Sequence, residues 1–113
     1  DFTRTGGRVG MRLAIEAGLD YDVVVAMNDV MALGALGEAR RSGLRIPRDA
    51  GLTGFGDISP LVDVTPGLTT VHVPTDQLAS RALDLALAGP GDGSGTVTVA
   101  VTPVIRDSTP SKS

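Results

Sequence analysis

The chain contains no cysteine. That excludes disulfides, thiolate metal sites and cysteine nucleophiles, and it fits a reducing compartment. Tryptophan is also absent, and the only aromatics are Phe2, Tyr21 and Phe55, so aliphatic and alanine side chains must fill the interior. There is no excess of basic residues: 10 Lys and Arg stand against 13 Asp and Glu, and a net charge of −3 offers no electrostatic footprint for nucleic acid. The single histidine, His72, falls inside an expected strand, and no nucleophile elbow, zinc-ligand spacing, P-loop or dinucleotide fingerprint occurs. Gly54-Phe55-Gly56 imitates a glycine-rich loop for three residues only, and neither Ser59 nor Ser108 has a base near it in sequence. The chain is therefore read as no enzyme, with no cofactor and no metal. No apolar run approaches the ~20 residues needed to span a bilayer, so no membrane partner is expected. No signal-peptide pattern is visible, but the chain begins at Asp1 without a start methionine, and the expectation is a piece cut from something longer.

What is present is enough for one domain with a modest core: 113 residues of ordinary apolar content. Residues 21–57, YDVVVAMNDVMALGALGEARRSGLRIPRDAGLTGFGD, organise the rest. The run VVVAM is β-branched and lacks polar alternation, as in a strand buried on both faces of a parallel sheet. Asn28-Asp29 follows, where a carboxylate can accept from the free N–H groups of a helix's first turn. Residues 30–41 are helical by propensity, with Met31, Leu36 and Ala39 among the positions that can face a core. Gly43 suits a helix end, Pro47 prevents continuation, and residues 51–55 read as a second strand. Strand, helix and strand at this spacing form a βαβ unit with a right-handed crossover.

On either side of this unit the pattern continues. Residues up to about Ala17 form a helix with Val9, Leu13 and Ala17 on one face, joined by Met11, Ala14 and Ile15, and Gly18 stops it. Residues 58–64 make one or two helical turns with Asp57 as N-cap. Thr65-Pro66-Gly67 is a turn, and residues 68–73 form a third strand stopped by Pro74. A helix over residues 77–88 carries an apolar stripe of Leu78, Ala82, Leu85 and Ala86. Residues 89–95 are a flexible glycine-rich loop. Residues 96–102 alternate as a strand with Val97, Val99 and Val101 on one face, Pro103 marks an edge or bulge, and Val104-Ile105 can resume the pairing. Residues 109–113 read as a disordered tail.

In open α/β sheets ligands bind beyond the carboxyl ends of the strands. Asn28-Asp29 and Gly56-Asp57 stand there. An amide that donates and accepts, beside a carboxylate that accepts twice, suits vicinal hydroxyls. The same residue types also serve turns and caps.

The phrases AMNDVMALGAL, GLRIPRDAGLTGFGDI, TPGLTTV and VIRDST, in that order and spacing, resemble the effector-binding domain of the lactose/galactose-repressor (LacI/GalR) transcription factors. The resemblance runs through almost all of the chain. It implies a periplasmic-binding-protein-like (type I) fold, in which two α/β lobes hold an effector in their cleft and a separate N-terminal helix-turn-helix reads DNA. Residues 1–72 would belong to the C-terminal lobe, and residues 73–108 would be a crossover helix and final strand. The DNA-reading helices, the hinge, most of the first lobe and the arginine that grips the effector lie outside this sequence.

By position, the resemblance makes Phe2 the aromatic that stacks on the effector and Asn28 an effector-contacting asparagine. The family has two acids after its Gly-aromatic pair. Here the first is Gly56 and only the second, Asp57, remains; Asp57 is carried as an effector-site candidate, although the residues around it also fit a helix cap. Val73 replaces a usual glutamine. These losses point to a less polar effector or a degenerate site. Leu33 and Val64 match the homodimer interface. The function implied is effector sensing and dimerisation in a cytoplasmic regulator that touches DNA only through its absent N-terminal domain. The alternatives are a sugar-binding component of a transporter, which shares the fold, and a small α/β enzyme. Strands built for burial on both faces would also leave this piece with an exposed apolar patch.

Overall fold

The computed structural model describes residues 1–18, 20–91 and 95–111. Among these the elements are α1 (Arg4–Glu16), β1 (Val23–Val25), α2 (Asp29–Arg41), β2 (Gly51–Thr53), β3 (Thr70–His72), α3 (Thr75–Leu87) and β4 (Thr102–Val104), with a 3-10 turn at Ser59–Asp63. β1 and β2 pair in parallel with Val24 opposite Leu52, and β3 and β4 pair antiparallel with Val71 opposite Pro103. Single parallel bridges, Thr53 to Thr69 and Gly56 to His72, join the two pairs. The order across is therefore β1-β2-β3-β4, with only the last strand reversed. The fold is α/β with a mainly parallel sheet and helices packed against it, as the sequence leads one to expect.

Local chemistry sets the helix limits. The Thr3 hydroxyl accepts from Gly6 N at 3.0 Å and caps α1. Asn28 Oδ1 accepts from Met31 N at 2.8 Å and caps α2, so the amide, and not the neighbouring carboxylate, performs the capping. Arg40 and Arg41 lie in the last turn of α2, where the helix dipole favours cations. Beyond it Gly43 takes φ +77, a conformation costly for any residue with a Cβ.

α2 is the centre of the core. Ala32, Ala35, Leu36 and Ala39 are buried with Met11, Ala26, Leu52, Leu61 and Leu68. α1 crosses α2 at two glycines: a Cβ on Gly7 would overlap the Met31 carbonyl, and one on Gly34 would overlap the Arg4 carbonyl. Ser108 closes the far side of β2. Its buried hydroxyl donates to Leu52 O at 2.6 Å and accepts from Thr69 N at 2.8 Å. Ser108→Ala should lose about 2 kcal/mol of stability, since a buried N–H and a carbonyl lose their partner together. Urea unfolding checks this, and a midpoint equal to wild type would refute it.

Several expectations are corrected. α1 buries Gly7 and Met11, while Leu13 is 56% exposed, so its inner face is turned away from the expected Val9–Leu13–Ala17 row. The reason is the glycine contact with α2, which sets the rotation of α1 more strongly than its apolar count does. β1 is covered on one face only: Val25 is 71% exposed. With Met27, Phe55, Val71 and Ile105 it borders an open hollow of about 360 Å³ on the other face, an exposed apolar patch of the expected kind. The last strand is not 96–102 but Thr102–Val104, with Pro103 in its middle. β3 ends at His72, and Pro74 and α3 follow directly, so residues before Thr102 have no partner strand to pair with. Pro103 is tolerated because β4 is an edge.

The stripe on α3 forms, but α3 buries none of its side chains. The radius of gyration, 17.2 Å, exceeds the ~13 Å of a compact chain this size, as an arm held off the body requires. Residues 92–94 of the expected glycine-rich loop lie outside the described residues, as do 112–113 of the expected tail. Thr109 is not free: its hydroxyl lies 2.8 Å from that of Thr69.

Candidate functional site

The carboxyl ends of β1, β2 and β3 face the same edge and carry the polar residues of interest. Asn28, just beyond β1, caps α2 with its oxygen and donates from Nδ2 to the Phe2 carbonyl at 3.3 Å. This bond draws the start of the chain onto the strand ends and holds Phe2, itself 70% exposed, beside Asn28. Two of the expected site residues are thus brought together.

Asp57 lies beyond β2 at φ +57, outside the ordinary range for a non-glycine residue. It does not cap a helix: the 3-10 turn begins after Ile58, with no side-chain cap bond. Its Oδ1 accepts from Arg106 Nη2 at 2.7 Å, and its Oδ2 lies 3.0 Å from His72 Nδ1. A carboxylate offered an arginine on one side and a histidine on the other is held by them and turned away from the helix start. Among the described residues no hydrogen bond joins Asp57 to Asn28 or Phe2.

The link between the two halves is Asp29, which is wholly buried. Its Oδ1 accepts from Thr70 Oγ1 at 2.5 Å and its Oδ2 from Ile58 N at 2.9 Å, tying the start of α2, β3 and the turn after β2 at one point. A Cβ on Gly54 would overlap Oδ1, so glycine there is what lets the carboxylate reach the strand. The sequence marked Asp29 as a capping carboxylate or one open to a ligand's hydroxyls, whereas both its oxygens are bonded inside the fold. Thr70, Arg106 and Ser108 fall within the phrases that carry the resemblance, but no local pattern shows what they bond, because their partners lie 37 to 56 residues away. Ser108 is also explained as a non-nucleophile, since its proton is committed to Leu52 O.

The Arg106 guanidinium, by its hydrogen bond, holds the Asp57 carboxyl below the usual carboxylate range. Partial burial opposes this and the bond with His72 reinforces it. A carboxyl depressed in the folded state stabilises the fold at pH above its unfolded value, ~3.9, and that contribution is lost as pH falls through the lower folded value. Arg106→Gln should therefore raise the Asp57 midpoint towards ~3.9 in a carboxyl NMR titration. An unchanged midpoint would mean the pair is not made in solution.

Leu33 and Val64, expected at a dimer interface, are both half-buried and packed against the core. Leu33 also lines an open groove of about 280 Å³ whose rim carries Arg4, Arg8 and Arg41. Among the described residues no cluster of His, Asp and Glu suits a metal ion, and no helix is long and apolar enough to cross a membrane.

Parallel strands feeding helices, with polar side chains gathered beyond their carboxyl ends, are the arrangement on which α/β domains bind ligands. The chain belongs to the periplasmic binding protein-like domain family, whose model matches residues 6–109. It is 35% identical over 112 residues to the HTH-type transcriptional repressor CytR of Escherichia coli, a match covering 96% of this chain and 33% of CytR. A LacI-type transcription regulator from Bifidobacterium animalis subsp. lactis superposes with a TM-score of 0.88 at 30% identity, over 96% of this chain and 40% of that one. A LacI family regulator from Arthrobacter, solved in complex with lactose, superposes with a TM-score of 0.84 at 28% identity, over 96% of this chain and 42% of that one. The resemblance to LacI-type regulators thus holds across the domain, and the chain spans about a third of the curated relative's length.

Proposed function

We propose that this chain is the effector-sensing and dimerising part of a LacI-type transcriptional regulator. Residues 1–72 form part of the C-terminal lobe and residues 73–108 the crossover helix and final strand. The observation that carries the reading is the meeting of Phe2 and Asn28 at the strand ends, with Asp57 at the neighbouring one, in a chain similar throughout to such regulators. Phe2, Asn28 and Asp57 are the proposed effector contacts, and the effector is a small hydroxyl-bearing molecule, since lactose occupies the Arthrobacter relative. Leu33 and Val64 contribute to a homodimer. The complete protein is cytoplasmic, is no enzyme, and meets DNA through a helix-turn-helix outside this chain. Effector binding favours one arrangement of the lobes and so alters the spacing of the DNA-reading heads.

The test is to purify the product of the complete reading frame and measure its binding to the DNA upstream of its own gene by fluorescence anisotropy, with and without a panel of sugars that includes lactose and D-ribose. Specific binding at physiological salt, changed by at least one sugar, is expected; Asn28→Ala should blunt the sugar response and leave DNA affinity unaltered. A complete protein that ignores DNA at that salt would overturn the reading.

A further inference from the structure

One polar atom at the strand ends has no task so far. Asp57 uses both oxygens, one on Arg106 Nη2 at 2.7 Å and one on His72 Nδ1 at 3.0 Å. Paired with the guanidinium, the carboxyl is ionised near neutral pH and can only accept. The hydrogen shared between Asp57 and His72 must therefore come from the imidazole, which places it on Nδ1. In the neutral ring the second nitrogen, Nε2, is then a bare lone pair. The His72 side chain is 50% exposed, and no hydrogen bond to Nε2 is made among the described residues.

The location of this acceptor matters. His72 closes β3 and pairs with Gly56 across the parallel bridge, flanked by Gly56 N to Val71 O at 2.8 Å and Val73 N to Gly56 O at 3.4 Å. Gly56 and Val73 are the two positions where the resemblance expects a carboxylate and an amide and finds neither. An exposed acceptor whose proton is fixed by a neighbour thus stands between two positions that have lost theirs.

We propose that His72 is a specificity-determining contact of this site, with Asp57 and Arg106 acting as positioning residues that turn its Nε2 into an acceptor for a hydroxyl of the effector. The inference rests on reading the strand ends as an effector site. It also names the chemistry that the loss of polar groups at Gly56 and Val73 left open: a ligand that donates a hydrogen bond there. A site built to accept from a hydroxyl rejects an analogue without it, because the acceptor, cut off from water by the bound ligand, is left unpaired.

His72 is the only histidine in this chain, and in long-range proton–nitrogen spectra of the labelled complete regulator its two nitrogens are assigned as the signals lost in His72→Gln. Nδ1 should carry the proton at neutral pH, and Asp57→Ala should release the ring to a mixture of tautomers. Each sugar of the panel that alters DNA binding by the complete regulator is then titrated by calorimetry against its His72→Phe and His72→Gln variants. The phenylalanine variant should bind about ten-fold more weakly, as loss of one hydrogen bond predicts, and the glutamine variant, which keeps an acceptor, less so. A proton found on Nε2, or equal affinity in the phenylalanine variant, overturns this inference alone. A panel in which no sugar acts removes the effector reading and this inference together.

Discussion

Asp29→Ala should cost about 4 kcal/mol, a large share of the stability of a domain whose total is roughly 5–15 kcal/mol. Asp29 is wholly buried and accepts from Thr70 Oγ1 and Ile58 N. Alanine would strand both donors in the interior and leave a void where the carboxylate stood. Asp29→Asn separates hydrogen bonding from charge. Its oxygen can keep the Ile58 N–H, and its amide can donate to the Thr70 hydroxyl, which rotates to accept, so a loss of only about 1 kcal/mol is expected. Urea unfolding of both variants checks the pair. Equal losses would show that the charge, and not the two bonds, is what the fold requires.

Gly34→Ala should be nearly as damaging, at about 3 kcal/mol, because overpacking by one methyl has nowhere to go here. The new Cβ would overlap the Arg4 carbonyl and lie 2.9 Å from Arg8 N, and backbone cannot yield as the end of a flexible side chain can. α1 would have to lift off α2, exposing Met11 and opening the core. Gly37, one turn further along the same helix, is the control. Nothing lies within 4 Å of a Cβ built there, so Gly37→Ala should stabilise by about 0.5–1 kcal/mol through helix propensity alone. Thermal melts that moved both variants in the same direction would refute the close helix crossing.

The residues that could be read in advance were those whose partners are near in sequence. A polar cap was expected at Asn28-Asp29 ahead of α2, and Asn28 supplies it in place of the carboxylate expected to; Gly43 follows α2 in the left-handed conformation. The βαβ unit of residues 21–57 appears because its period changes from continuous apolar, to helical, to continuous apolar again. Phe2 and Asn28, assigned to one site by the resemblance and not by any local pattern, are linked by a hydrogen bond from Asn28 Nδ2 to the Phe2 carbonyl. What could not be read was long-range. Asp57 looked like a cap because a turn follows it, yet Arg106, 49 residues on, takes its carboxylate. Residues 96–102 alternate like a strand, but alternation states only that a segment can pair, and pairing needs a neighbour that ends where β3 does not.

By itself, then, the sequence determined the class of fold, the limits of the helices and the edge of the sheet where polar residues gather, because propensity, capping and periodicity act over a few residues. Only the tertiary structure decided which polar groups are buried and which way they are bonded. It set the face that α1 turns to α2, the exposure of β1 on one side, the junction at Asp29 and the relay from Arg106 through Asp57 to His72. Each of these depends on two or more segments meeting at distances of about 3 Å or less, and no local pattern records which distant residue will arrive there.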